Sequence, residues 1–381
     1  MAGDCRGSDA FLSFMLISSI GNRERKVDGA RINRTILAIC IVFAITQNHN
    51  NSSLICRFRV PLLFEEVNME NKPNQHYVWQ KYLEPWKKNG KLVCLRNKKD
   101  ILRSNSRNVA SQRYFYNINN LTLNDCNLIR RLFINNQPEP MKKLLEGWVN
   151  PIEQLLQIYD LVSKNRKVDD SIKALKELTL KNLLEELHME IETEGIEGLL
   201  KLQAGDISFL FESDKEDMTE DVEFILYLSF QYFRTKKIKQ SVEEALREYA
   251  SHFTSFDNTF NLLVPIFSTL FGYNVFERIK RKELYCNLLE NASDISFITG
   301  DQPVVNIDAN FDANQETTDL SLYYPLSPTV SLLITRSQID DVKCSSEKVK
   351  EYNDMIARQA LELIFANDAS DLTPYVYRED A

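Results

Sequence analysis

The apolar spacing of this chain changes once, near Glu283, and that change limits what it can fold into. Upstream, over residues 122–271, apolar side chains recur at intervals of three and four, the pattern of helices that bury one face. Downstream, residues 284–289, 295–299, 304–307, 320–324 and 330–334 form short apolar runs between turn residues, which reads as strands. Residues 345–363 return to helical spacing, with Val349, Ile356, Ala360 and Leu363 on one face. Ahead of the helical stretch, residues 91–96 and 101–104 predict a hairpin around Asn97-Lys98-Lys99-Asp100. Strands, a block of helices, then strands and a helix predict an α+β protein. Its central helical block is flanked by the N-terminal hairpin and by C-terminal strands forming a mixed sheet that the hairpin can join.

Within that outline, residues 74–86 predict a short helix stopped by Pro85, and Tyr114-Phe115-Tyr116 an aromatic strand. Thr122 and Asp125 fit an N-terminal cap followed by a helix over 125–134. Further helices are predicted over 140–165, 171–202, 220–233 and 257–271, the last with Pro265 as a kink. Ser241-Val242-Glu243-Glu244 reads as a capping box that opens another helix. Residues 212–223 read as an acidic, solvated connection.

The first sixty-eight residues follow another pattern, with an apolar run at 36–45 only about half the roughly 20 residues of a membrane span. It also starts too far along the chain for an ordinary export signal. The expectation is a disordered or non-native extension over 1–68, a single α+β domain over 69–381 and no membrane association. The seven cysteines, Cys5, Cys40, Cys56, Cys94, Cys126, Cys286 and Cys344, include no CxxC pair and none beside a histidine. That excludes the usual zinc spacings and a disulfide framework, and reads as reduced thiols in a cytoplasmic setting.

A net charge of −8 argues against a surface built throughout for phosphate, while leaving room for a local basic groove. There is no GxGxxG, P-loop, HExxH or GxSxG motif. Glu185-x-x-His188 occurs once, where a paired-iron bundle needs two copies, and reads as a surface helix laced with acidic groups. His76 is suited to proton transfer near neutral pH and equally to holding a helix start. Asp301 ends an apolar run at a tight turn. That is a place for a catalytic or metal-binding carboxylate, and equally for one that satisfies nearby N–H groups. Gln231 and Arg234 share a helix face, where an arginine can clamp a carboxylate or phosphate. Lys236, Lys237 and Lys239 extend the positive charge, and Arg278, Lys280, Arg281 and Lys282 form a second cluster read as a solvated strand edge.

Taken in order, these pieces resemble the family catalogued as domain of unknown function 4238. The matching elements are Gln75-His76-Tyr77-Val78 with Tyr82-Leu83, Asn108-Val109-Ala110 with Phe115-Tyr116, and Gln231 with Arg234-Thr235. Phe297-Ile298-Thr299 with Asp301-Gln302-Pro303-Val304, Pro325-Leu326-Ser327, and Asn353 with Ile364-Phe365-Ala366 complete the set. Two positions depart from it: Trp79 where the family usually has proline, and Gly300 where it usually has serine. The resemblance implies a microbial intracellular protein, with some members similar to anti-phage defence components. It selects His76 and Asp301 as catalytic candidates and Gln75, Tyr77, Gln231, Arg234 and Asn353 as substrate-binding candidates. No cofactor is implied, although Asp301 can take a divalent metal.

Two functions stay open. In one, His76, Asp301, Gln231 and Arg234 converge on a cleft that acts on nucleic acid or another phosphodiester, with Arg234, Lys236, Lys237 and Lys239 contacting nucleic acid or a phage component. In the other, the same residues stitch the elements together, and the protein binds a partner or senses a signal without chemistry.

Overall fold

A computed structural model of the chain describes residues 72–165, 170–211, 220–308 and 320–377. The extension over 1–68, with Cys5, Cys40 and Cys56, and most of the acidic connection over 212–223 lie outside these residues. The fold is α+β, a helical block joined to three sheets.

The described chain opens with strand β1 (Asn74–His76), which pairs antiparallel with β4 (Ser111–Arg113). Between them lies the hairpin of β2 (Leu92–Arg96) and β3 (Asp100–Ser104), in the predicted place. The helix expected over 74–86 is instead β1, a turn and a 3-10 turn at Glu84–Trp86. Its spaced apolar residues are buried all the same, because Tyr77, Val78, Tyr82, Leu83 and Trp86 lie in a closely packed turn, not on one helix face. Tyr114-Phe115-Tyr116 is likewise a turn after β4, since Tyr114 adopts a positive φ of 51° that ends the strand.

Helix α1 (Leu123–Ile129) starts at a capping box made by Thr122 and Asp125, as the sequence predicts, and runs on as a π-turn through Ile134. Helices α2 (Glu139–Asn165), α3 (Asp170–Glu194) and α4 (Ile196–Gln203) follow. The predicted 171–202 helix is broken at Gly195, where any Cβ would collide with Tyr227 of the next helix. That helix, α5 (Glu220–Phe233), is buried from Val222 to Phe233 save Glu223, as an all-round apolar sequence requires. It packs against α3, α4 and the long helix over Phe256–Lys280.

Helix α6 (Lys236–Ala245) is capped by Thr235, whose hydroxyl accepts from the Ile238 amide at 3.3 Å. The predicted cap at Ser241 lies within this helix, and its hydroxyl donates back to the Lys237 carbonyl at 2.9 Å. After the short α7 (Arg247–Ala250), α8 (Phe256–Lys280) runs through Pro265 and beyond the expected end at 271. Helix α8 is apolar and long enough to cross a bilayer, yet 89% of its apolar window is buried within the fold. Arg278 and Lys280 belong to its last turn and not to a strand edge.

The late strands divide between two sheets. Strands β5 (Tyr285–Asn291), β7 (Val305–Asn306), β8 (Leu322–Pro325), β9 (Val330–Thr335) and β10 (Lys343–Cys344) form a mixed sheet in the order β10-β5-β9-β8-β7. In it, β10 alone runs parallel to its neighbour. The hairpin does not join this sheet. It joins β6 (Thr299–Gly300) and β11 (Leu363–Ala366) in a second, antiparallel sheet ordered β3-β2-β11-β6. Residues 295–298 are irregular because their backbone groups are spent on Trp86, Pro328 and Asn353. The closing helix α9 (Ser346–Gln359) stops before the expected 363, and Ile364-Phe365-Ala366 is strand.

The continuous apolar runs of β2 and β11 follow from burial on both faces. Leu92, Cys94, Leu363 and Phe365 face the helical core, while Val93, Leu95, Ile364 and Ala366 face α9 and the mixed sheet. Among the described cysteines, Cys94, Cys126, Cys286 and Cys344 are free and buried.

Candidate functional site

Two polar centres gather the residues singled out by the sequence. The first surrounds Asp301, at the end of β6. Its carboxylate accepts three backbone N–H groups from the turn between α9 and β11. Oδ1 takes Leu361 at 2.8 Å, and Oδ2 takes Glu362 at 2.7 Å and Leu363 at 3.0 Å. The Asp301 amide in turn donates to the Leu363 carbonyl at 2.9 Å. Burial pushes the carboxyl up to about 6, against these three amides, which favour the charged form. Both oxygens are thus aimed at backbone donors. Among the described residues no three His, Cys, Asp or Glu side chains gather in a metal-holding group. Gly300 makes the close approach of β6 to α9 feasible: a Cβ there would lie 3.1 Å from the Ala360 Cβ and 3.2 Å from the Leu363 oxygen.

Tyr77 is buried on the same side of the fold, where burial, then the charges of Asp301 and Glu362, raises its phenol above the ordinary range. Lys236 lies over the Tyr77 ring at 5.1 Å and pairs with Glu362 at 2.9 Å. Lys239 pairs with Asp257 at 2.8 Å. The lysines expected to contact nucleic acid are therefore engaged within the protein, apart from Lys237, which is half-buried.

The second centre surrounds Arg234, which follows α5 and is fully buried. Its Nη2 donates to Gln231 Oε1 at 3.1 Å and meets Glu192 Oε1 of α3 at 2.5 Å. Burial opposes the charge on Arg234, but Glu192, with the Tyr116 and Tyr227 phenols, holds the guanidinium above its usual pKa. Glu192 is pushed up to about 6 by burial, with Arg234 pulling the other way. His188, one turn earlier on α3, has its ring 4.0 Å from that of Tyr116 and 5.4 Å from Phe230. Burial, then Arg234, drives it well below the usual histidine value, so it is neutral. Glu185 is half-buried and pushed up to about 7 by burial and then by Glu192.

His76 sits at the edge of this second centre. Its Nε2 donates to the Arg107 carbonyl at 3.3 Å, and its Nδ1 accepts from Gln80 at 3.4 Å, which selects the neutral tautomer. Burial lowers its pKa, and Arg234 lowers it further. No hydrogen bond or ion pair joins His76 to Asp301 among the described residues. His76 ends β1, and Tyr77 follows it in a bend, buried near Asp301.

The remaining candidates spend both ends of their side chains on the backbone or on one another. Gln75 donates to the Lys181 carbonyl at 2.9 Å and accepts from the Tyr116 amide at 2.8 Å. Asn353 accepts from the Ile298 amide at 3.0 Å and donates to the Ser296 carbonyl at 2.8 Å. Gln302 accepts from the Thr235 hydroxyl and donates to the carbonyls of Val304 at 2.8 Å and Tyr232 at 3.2 Å. Trp79, where the family usually has proline, lies edge-on to Tyr227 with ring centres 5.7 Å apart.

The surface-helix reading of Glu185-x-x-His188 is overturned, because His188 and Glu192 are buried with Arg234. A signal for this was present: Leu184, His188 and Ile191 keep the four-and-three spacing of the buried stripe, so His188 falls on the inner face of α3.

The raised pKa of Glu185 has a measurable consequence. From 4.5 in the unfolded chain to about 7 in the fold, the native state holds a proton that the unfolded state has released. Stability therefore falls as pH rises through this window, and the penalty is complete above pH 7 and absent below pH 4.5. Glu185→Gln removes the penalty. The variant is expected to be more stable than the parent by about 2 kcal/mol at pH 8, allowing for residual exposure, and equal to it at low pH. Urea melts of both proteins across this pH range check the convergence.

A family model described as a protein of unknown function (DUF4238) matches residues 74–370. No curated protein and no solved structure matches the chain.

Proposed function

The chain belongs to the DUF4238 family, and from that premise we propose that it is a non-catalytic binding or sensing protein whose family-motif residues hold the fold together. The observation that carries this reading is the Asp301 carboxylate, which spends both oxygens on the amides of Leu361, Glu362 and Leu363. A general base or metal ligand needs a lone pair directed at substrate or ion, and a catalytic group must come within hydrogen-bond reach of the reacting atom. Gln75, Gln302 and Asn353 support the reading, since each links segments distant in sequence through backbone contacts. Arg234, neutralised by Glu192 and closed off from solvent, is poorly placed to clamp a nucleic-acid phosphate.

The competing chemistry is phosphodiester cleavage. Incubation of the full chain with labelled single- and double-stranded DNA and RNA, with magnesium or manganese, is expected to leave every substrate intact. Cleavage that disappears in His76→Ala while its melting temperature holds would overturn the binding reading. Where host and phage are available, a plaque assay extends the test: His76→Ala is expected to retain whatever protection the parent confers.

A further inference from the structure

Positive charge is concentrated in the first strands of the fold. Residues 72–113 carry eleven Lys and Arg against two acids, Glu84 and Asp100, in a chain whose net charge is −8. Lys72, Lys87 and Lys88 pair with Glu186, Glu84 and Asp368. The other eight cations of this stretch are all exposed and make no ion pair with a described residue. The helical block differs, since Arg130, Arg234, Lys236, Lys239 and Lys280 each meet a carboxylate. Six of the eight follow the chain in one row. Arg96, Lys98 and Lys99 surround the turn of the β2–β3 hairpin, Arg103 lies on β3, Arg107 in a 3-10 turn and Arg113 at the end of β4. Strand β3 is the outer strand of its sheet. Its Ile101 and Arg103 lie opposite Leu95 and Val93, on the face that α9 covers at β2, yet both are exposed. The cover thus ends at β2 and leaves β3 open. Beyond β3 the row meets the β1–β4 ribbon, where Asn74 pairs with Arg113 and its side chain donates to the Arg107 carbonyl at 3.2 Å. Arg113 and Lys181 of α3 both lie over the Tyr114 ring, at 5.3 and 4.9 Å from its centre.

We propose that this row is a binding surface for single-stranded nucleic acid, which runs from the hairpin turn past Arg103 and Arg107 to Tyr114. This rests on the binding reading above and gives it a ligand class. Exposed cations of one sign, in a chain of opposite net charge, are complementary to a polyanion laid along them, which also gains from counterion release. Asp100, and Glu177 paired with Lys181, are too few to neutralise the row. Four of its six members are arginines, whose forked guanidinium grips phosphate through paired hydrogen bonds. Exposed Asn97, Asn105 and Asn108 between them add amide donors for phosphate or sugar. Strand β3 alone spans about 15 Å, so the row outreaches a single small anion. The hairpin is held in its sheet by β11 and does not project as the free ribbon that a duplex major groove admits. Where the row ends, an aromatic ring lies between basic groups, the combination that tracks single strands.

Fluorescence anisotropy of labelled oligouridine and oligothymidine with the full chain tests the surface. At least one strand is expected to bind at low salt, and more weakly as salt rises. The triple variant Lys99→Gln, Arg103→Gln, Arg107→Gln is expected to weaken binding about tenfold or more and to reduce the slope of log K against log salt by about 2. Its melting temperature should match the parent's, since none of the three side chains pairs with a described residue. Arg103→Gln alone repeats the test at one exposed position, with an expected slope change of about 0.7. A control, Lys143→Gln with Lys343→Gln and Lys350→Gln, changes net charge equally at exposed sites elsewhere and is expected to bind like the parent. Four results would overturn the proposal: no binding at low salt, equal weakening by both triple variants, tighter binding of a duplex than of either single strand, or capture by phosphatidylserine vesicles without oligonucleotide binding. Absence of binding refutes this surface alone and leaves the non-catalytic reading standing. Cleavage of the bound strand would refute that reading and leave the surface in place.

Discussion

Asp301→Asn is expected to lower stability by about 3 kcal/mol or more, a fall in melting temperature of roughly 5–10 °C. The side chain keeps its size, so the loss is electronic. One oxygen becomes an NH2 group that faces backbone donors from residues 361–363. Hydrogen bonds to a charged group contribute about 1.5–3 kcal/mol each, and an amide nitrogen cannot accept any of them. The turn they hold sets the start of β11, which lies between β2 and β6, so the second sheet should loosen as a unit. His76→Ala removes two weak contacts at the protein's edge and is expected to shift stability by less than about 1 kcal/mol. Thermal and chemical melts of the two variants decide the matter. A normal melt for Asp301→Asn, coupled with lost biological activity, would return Asp301 to the catalytic candidates.

Arg234→Ala is expected to cost about 3–5 kcal/mol, because it strands the buried Glu192 carboxylate. The variant should recover part of that loss at acid pH. Without the guanidinium, Glu192 titrates still higher than about 6, and its protonated form is tolerated in a buried site. Glu192→Gln should also be costly: the new amide oxygen still accepts from Nη2, but the buried guanidinium charge, which cannot be neutralised by losing its proton, is left uncompensated. The double variant Arg234→Met with Glu192→Leu is expected to be more stable than Arg234→Ala, since apolar groups of similar volume remove both desolvation costs. A double-mutant cycle built from urea melts measures the coupling. Additive losses from the two sites would show that the pair seen at 2.5 Å contributes no mutual stabilisation.

Much of the architecture was legible locally. The hairpin around residues 97–100, the Thr122–Asp125 cap and the all-apolar α5 each follow from residues within one turn or one strand pair. The misreadings share one cause. Residues 74–86 and Ile364-Phe365-Ala366 carry apolar patterns that suit either a helix or a buried turn or strand, and the choice falls to distant partners. For β1 the partner is β4, and for β11 it is β2, about 270 positions away in sequence. Ser241 had the composition of a cap, but Thr235, earlier in the chain and also bonded to Gln302, took that role. Gly195, between α3 and α4, must be glycine because Tyr227 occupies the space its Cβ would need.

The candidate site divides in the same way. The sequence by itself singled out Gln75, His76, Arg234, Asp301 and Asn353, and in the fold each has specific hydrogen-bond partners. It also placed Gln231 beside Arg234, one helical turn apart. Which groups those residues contact was decided by tertiary structure alone. Hydrogen bonding is directional and short-ranged, so Asp301 became a backbone clamp once β11 brought three amides within 3.0 Å of its carboxylate. Burial has the same non-local origin. His188 and Glu192 passed for surface residues, whereas the packing of α5 against α3 buries them together with Arg234.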